Sequence, residues 1–183
     1  MLFKKKNIFS PLEISFYFFP LSFILGSLAV NLNLIIFLIL SFFSIFSKKI
    51  KIAFDNSSIF LFLFFISVIL SSFINFDKIG TSNLIKSLFL LKFFFLYISI
   101  DTLSKNKKIN FYYFFNICLI LSILVSLDLL LQFYYGKNIL GYEPWEGRIT
   151  GVFEHEAIAG AFLQKLFLFS LIGSLIVFNK KDK

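Results

Sequence analysis

The side chains able to do chemistry crowd into one stretch, Gly147 to Lys165, GRITGVFEHEAIAGAFLQK. It carries the only arginine, Arg148, and the only histidine, His155, together with Glu154, Glu156 and Lys165. Of the 18 basic residues in the chain, Arg148 alone is not lysine. A guanidinium offers a planar fork of donors that matches the paired oxygens of a phosphate or carboxylate, which an ammonium does not. The same arginine also suits a plainer role at a membrane rim, against lipid headgroups. His155 sits between two carboxylates, and a general base wants one to orient it. Residues adjacent in sequence rarely face one another, however, so no catalytic residue is assigned. Glu156, just ahead of an apolar run, is placed to cap a helix N-terminus. Ala157, Gly160 and Ala161 predict a small-residue face for close helix contact.

Three ionisable groups, Lys165 among them, lie inside apolar runs: Lys92, Asp128 and Lys165. Counted along a helix, each falls roughly 10–12 Å below the same membrane surface. Charges at that depth are costly and face a bundle interior or a water-filled cavity. They predict one polar layer, net positive, with Asp128 offsetting part of the charge and Gln132 four residues on along the same helix face. The alternative is that Asp128 pairs with Lys92 or Lys165 only to hold helices together.

The elements that must position these residues are membrane helices. The chain is 58% hydrophobic over 183 residues, too apolar for a soluble domain to hide. Apolar runs near the length of a bilayer crossing recur throughout. The expected fold is all-α, a single polytopic transmembrane helix bundle over residues 1–183. Spans are expected at about 11–30, 34–47, 59–75, 84–103, 109–135 and 157–178, with an outer loop at 136–156. Ser10, Pro11 and Glu13 form a capping box at the first span. Pro20 predicts a kink, Asn31 and Asn33 a tight turn, and Ser67 with Ser71 a face toward a neighbouring helix.

Twelve of the 18 basic residues fall in four clusters, at Lys4–Lys6, Lys48–Lys51, Lys105–Lys108 and Lys180–Lys183. The clusters alternate with pairs of spans, the positive-inside pattern, which puts both termini in the cytoplasm. That distribution argues against nucleic acid as the partner of a chain with net charge +8. The lone Cys118 lies in an apolar run and matches no disulfide or metal-ligand spacing. Neither a metal nor a cofactor is expected.

The segment from Arg148 through Gly151, Phe153, Glu156 and Gly160 to Lys165 resembles a motif of the O-antigen ligase and O-antigen polymerase family. The preceding span, with Asp128 and Gln132 near its outer end, is similar too. The resemblance implies a multi-pass protein of the bacterial inner membrane that takes a polyprenyl-pyrophosphate-linked glycan and serves lipopolysaccharide or surface polysaccharide assembly. It implies that Arg148, with Lys165 and Lys92, holds the pyrophosphate headgroup, supported by Asp128, Gln132, Glu156, Gly151 and Gly160. Family members are longer and carry a catalytic periplasmic loop in their second half. This sequence matches the first half alone, so it is expected to be a truncated or split product, inactive without a partner chain. His155 does not correspond to the family's loop histidine. The rival expectation is a small transporter or flippase-like protein with an anion-binding polar layer; a third is a structural membrane subunit whose buried charges only pair.

Overall fold

The computed structural model describes residues 9–47, 50–52, 54–76, 81–154, 156 and 158–179. Among them there are six α-helices and no strand: α1 Pro11–Ser22, α2 Ser27–Ser47, α3 Asn56–Ile74, α4 Thr81–Lys105, α5 Phe111–Tyr135 and α6 Ala159–Asn179. Four of these, α2 to α5, are long and apolar enough to cross a membrane, and α6 is apolar from Ala159 through Leu175. The chain is an all-α, multi-pass membrane protein. The terminal lysine clusters lie outside the described residues, as do Lys48, Lys49, Lys78, His155 and Ala157.

α1 departs from the continuous first span expected over 11–30. Its start is as expected: Ser10 accepts from the Glu13 amide, and the Glu13 carboxylate accepts in return from the Ser10 amide at 2.9 Å. It ends after 12 residues, two beyond Pro20. Proline has no N–H for the helix ladder and crowds the turn before it. At Gly26 the backbone turns left-handed, φ +98°, before α2 begins. Twelve residues reach about 18 Å, short of a hydrocarbon core of about 30 Å. Asn31 and Asn33 do not make a turn; both lie within α2. Asn33 is buried and clamps α2 to α1, accepting from the Ser15 hydroxyl at 3.0 Å and donating to the Ser15 carbonyl at 3.1 Å.

The chain divides into two compact units, one of residues 1–33 with 110–183 and one of residues 34–109. In the first, α5 and α6 pack along each other and α1 packs on α5. Its core is Cys118 and Val125 of α5, Phe153, and Ala159, Phe162 and Leu166 of α6. A Cβ on Gly173 would lie 2.6 Å from the Phe115 carbonyl oxygen, so this glycine marks the point where the two backbones touch. Beside it the hydroxyls of Ser122 and Ser170 lie 2.6 Å apart, and Ser170 donates to the Cys118 carbonyl at 3.2 Å. The close approach was expected at Gly160 instead, where a Cβ would meet open space.

In the second unit α3 packs on α4. Asp55 caps α3, its carboxylate accepting from the Ser58 amide at 3.2 Å. The Lys105 ammonium bridges Asp55, at 3.0 Å, and Asp101, at 2.7 Å. The hydrogen bond from Lys105, then those from Ser58, hold the Asp55 carboxyl below the usual carboxylate range. Ser67 does not face another helix: it is exposed, and its hydroxyl donates to Phe64 of its own helix.

Candidate functional site

The site begins at the end of α5. Asn110 caps the helix start by accepting from the Tyr112 amide, and Gly136, left-handed at φ +72°, stops it. The i, i+4 spacing puts Asp128 and Gln132 on one face of the last two turns. They are 1% and 0% exposed, so every polar atom on them needs a partner. The partners come from the following loop rather than from another helix.

Asp128 Oδ1 accepts from the Ile139 amide at 2.9 Å, and Oδ2 from Asn138 Nδ2 at 3.4 Å. Gln132 Oε1 accepts from two consecutive amides, Thr150 at 2.8 Å and Gly151 at 2.7 Å. Its Nε2 donates to the Tyr142 carbonyl at 3.2 Å. Asn138 ties the two ends of the loop together, donating to the Gly151 carbonyl at 2.7 Å and accepting from the Tyr142 amide at 2.8 Å. A loop that carries few apolar anchors is thereby fastened to the helix end at both its start and its finish. A buried amide left without its acceptor costs about 1–3 kcal/mol, so this pair of side chains decides the loop's shape.

Between those fixed points the chain makes a two-residue hairpin. Trp145 and Arg148 exchange main-chain hydrogen bonds, at 3.0 and 2.8 Å. The central pair, Glu146 and Gly147, is left-handed throughout, φ +48° and +75°, the geometry of a type I′ turn. Arg148 therefore stands at the foot of a tight hairpin, exposed. Its guanidinium makes no ion pair among the described residues. The chain then closes onto the bundle through a 3₁₀ turn, Gly151–Phe153, which buries Phe153. Gly151 is required there: φ is +57°, and a Cβ would lie 2.9 Å from Leu129 Cδ2 and 3.0 Å from Asp128 Oδ2.

The expected polar layer is not what Asp128 builds. Its carboxylate is occupied by N–H donors of the loop, and it forms no ion pair with a lysine among the described residues. The physical reason is proximity: main-chain amides two to three turns of chain away reach the helix end without any lysine having to be desolvated. Lys165 is exposed on α6, also without an ion pair among the described residues. Lys92 belongs to the other unit, on α4, with its ammonium 5.3 Å from the centre of the Phe93 ring. Glu156 is exposed and lies ahead of α6 rather than on its first turn. Its amide donates to Phe153 and its carbonyl accepts from Ile158. Gly160 is exposed at the start of α6, and His155 lies outside the described residues.

The residue that sequence reasoning missed is Asn138, buried and satisfied on both sides of its amide. Its setting between Gly136 and Gly141 was the available signal, because an asparagine among glycines commonly bonds to the local backbone of a turn. Among the described residues no group of His, Cys, Asp or Glu is arranged to hold a metal ion. No protein-family model matches this chain, and neither the curated proteins nor the solved structures contain a significant match to it.

Proposed function

We propose that this protein binds the anionic headgroup of a polyprenyl-pyrophosphate-linked glycan at a bacterial inner membrane, as part of an O-antigen ligase-like or polymerase-like transfer of that glycan. Arg148 is the principal headgroup ligand, with Lys165 as a further cation.

The observation that carries this reading is the state of Arg148. Its backbone is fixed by a hairpin, the hairpin by the Asp128–Gln132 latch, and its guanidinium is left without a counter-ion among the described residues. An uncompensated fork of donors carried on a fixed stretch of backbone suits a leaving pyrophosphate, since the charge that develops meets donors close at hand. Gln132, Gly151 and Asp128 act as positioning residues, through the loop rather than on the ligand. The rival reading, an anion pathway through a shared polar layer, loses support because Asp128 serves the loop.

The test is binding of a polyprenyl pyrophosphate to the full chain in nanodiscs, comparing Arg148 with Arg148→Lys. Loss of one charge-assisted hydrogen bond costs about 1.5–3 kcal/mol, so Kd should rise roughly tenfold or more. An unchanged Kd for Arg148→Lys would remove the bidentate role and with it the main support for the proposal.

A further inference from the structure

Asp128 is a buried carboxylate that no cation among the described residues offsets. Its oxygens face N–H groups instead, Oδ1 the Ile139 amide and Oδ2 the Asn138 side chain. An amide nitrogen donates and does not accept. A proton on either oxygen therefore sets donor against donor at one of the two contacts. Buried polar groups that lose their partners are expensive, so the carboxylate grips the loop only while it is ionised.

The loss would not stay local. Asn138 divides its amide between Asp128, the Gly151 carbonyl and the Tyr142 amide. Gly151 lies so near that a Cβ on it would come within 3.0 Å of Asp128 Oδ2. Gln132 holds the amides of Thr150 and Gly151. One proton at Asp128 thus reaches both ends of the loop, whereas Gln132 and Asn138 do not titrate.

No other titratable group shares the latch. α6 brings Lys165, the chain past the 3₁₀ turn Glu154 and Glu156, and the loop Lys137, Glu143, Glu146 and Arg148, all of them exposed. On α5 itself Tyr134 and Tyr135 are exposed. α1 brings Glu13 and Tyr17, by the start of α5, where Tyr17 meets Tyr113. Tyr142 joins by its main chain alone. None of the cations pairs with Asp128.

We propose that the loop over the end of α5 is a proton-released latch. Ionised Asp128 holds it shut, and a proton taken from the bulk opens it, freeing the hairpin that carries Trp145 and Arg148. The device needs no ligand, so it stands or falls apart from the headgroup reading.

Trp145 is the only tryptophan and lies between the two anchors, so its emission reports on the loop alone. The full chain in nanodiscs, carrying His155→Gln so that the only histidine adds no step, is taken from about pH 8 to about pH 3. The amide protection factors of Ile139, Thr150 and Gly151 should fall together, by roughly tenfold or more. Trp145 emission should move at the same midpoint, with the helical signal unchanged. Asp128→Asn keeps the shape and removes the charge, so it should show the open state at every pH. Glu143→Gln and Glu154→Gln, beside Trp145, should keep the transition.

A transition that survives in Asp128→Asn, or disappears in Glu143→Gln or Glu154→Gln, overturns the latch. So does loss of protection at Ile139 alone, which would be one broken bond and no opening. Loss that comes only with the helical signal, or no change across the range, overturns it as well. Should Asp128→Asn fail to fold, the joint loss at three amides, kept in both Gln variants, still decides.

Discussion

At the scale of single residues, the site depends on a few atoms that tolerate no addition. Gly151 combines a left-handed backbone with a contact that a methyl group would enter. Gly151→Ala should cost about 1–3 kcal/mol, from strain in φ and from displacement of Asp128. Thermal unfolding in detergent measures this, and a melting point unchanged by the substitution would mean that the turn relaxes freely. The same substitution should loosen Arg148 and raise the Kd for pyrophosphate. How far the site was legible in the sequence differs from residue to residue. The spacing of Asp128 and Gln132 placed them on one face, and that face is real. What they touch was hidden, because their partners are the main-chain amides of Ile139, Thr150 and Gly151, and every residue type but proline carries an amide. Charge alone suggested a lysine partner for Asp128, and the loop reached it instead.

Between elements, the fit of α5 against α6 turns on Gly173. Gly173→Val would drive its side chain into the Phe115 carbonyl, now at 2.6 Å from the position of a Cβ. Overpacking of this kind costs about 1–3 kcal/mol. Loss of the Ser122–Ser170 contact should follow, with faster amide exchange at the Phe115 end of α5. Caps and apolar runs place the starts of α1 and α3 to α6 within three residues, Ser10 with Glu13 being the clearest case, but α2 begins at Ser27 rather than at 34. They failed at Pro20–Gly26, where the apolar run continues unbroken in composition while the backbone turns. They also failed at Asn33, whose buried bonds to Ser15 depend on a neighbour eighteen positions away. The Asp55–Lys105 bridge offers a pH test at this scale. A carboxyl whose folded value is lowered contributes stability above its unfolded value, and that contribution disappears as pH falls through the lowered folded value. Asp55→Asn keeps the cap and removes the charge. Its melting point should lie slightly below the native one at pH 7, and the gap should close as the pH falls below about 4. A gap that persists in acid would assign the difference to the cap rather than to the ion pair. Both partners are about half exposed, so the effect is small and should shrink further in salt.

At the scale of the whole molecule, the lysine distribution predicts which way the helices run. α5, at 25 residues, is long enough to cross, and it separates Lys108 from Lys137. The only native thiol, Cys118, is fully buried and should stay silent to reagents. A membrane-impermeant maleimide added to intact cells should therefore label Lys137→Cys and leave Lys108→Cys untouched. The opposite pattern would invert the orientation and move Arg148 to the cytoplasmic face. The Asp128–Gln132 latch has a consequence for modularity as well. It grips the loop through main-chain atoms alone at Ile139, Tyr142, Thr150 and Gly151, apart from the Asn138 side chain, and makes no hydrogen bond to the residues between Tyr142 and Thr150, so the segment from Glu143 to Ile149 behaves as an exchangeable cartridge in a fixed socket. A chimera that keeps the socket and replaces those seven residues with another hairpin of equal length would inherit the anchorage while changing what the tip recognises.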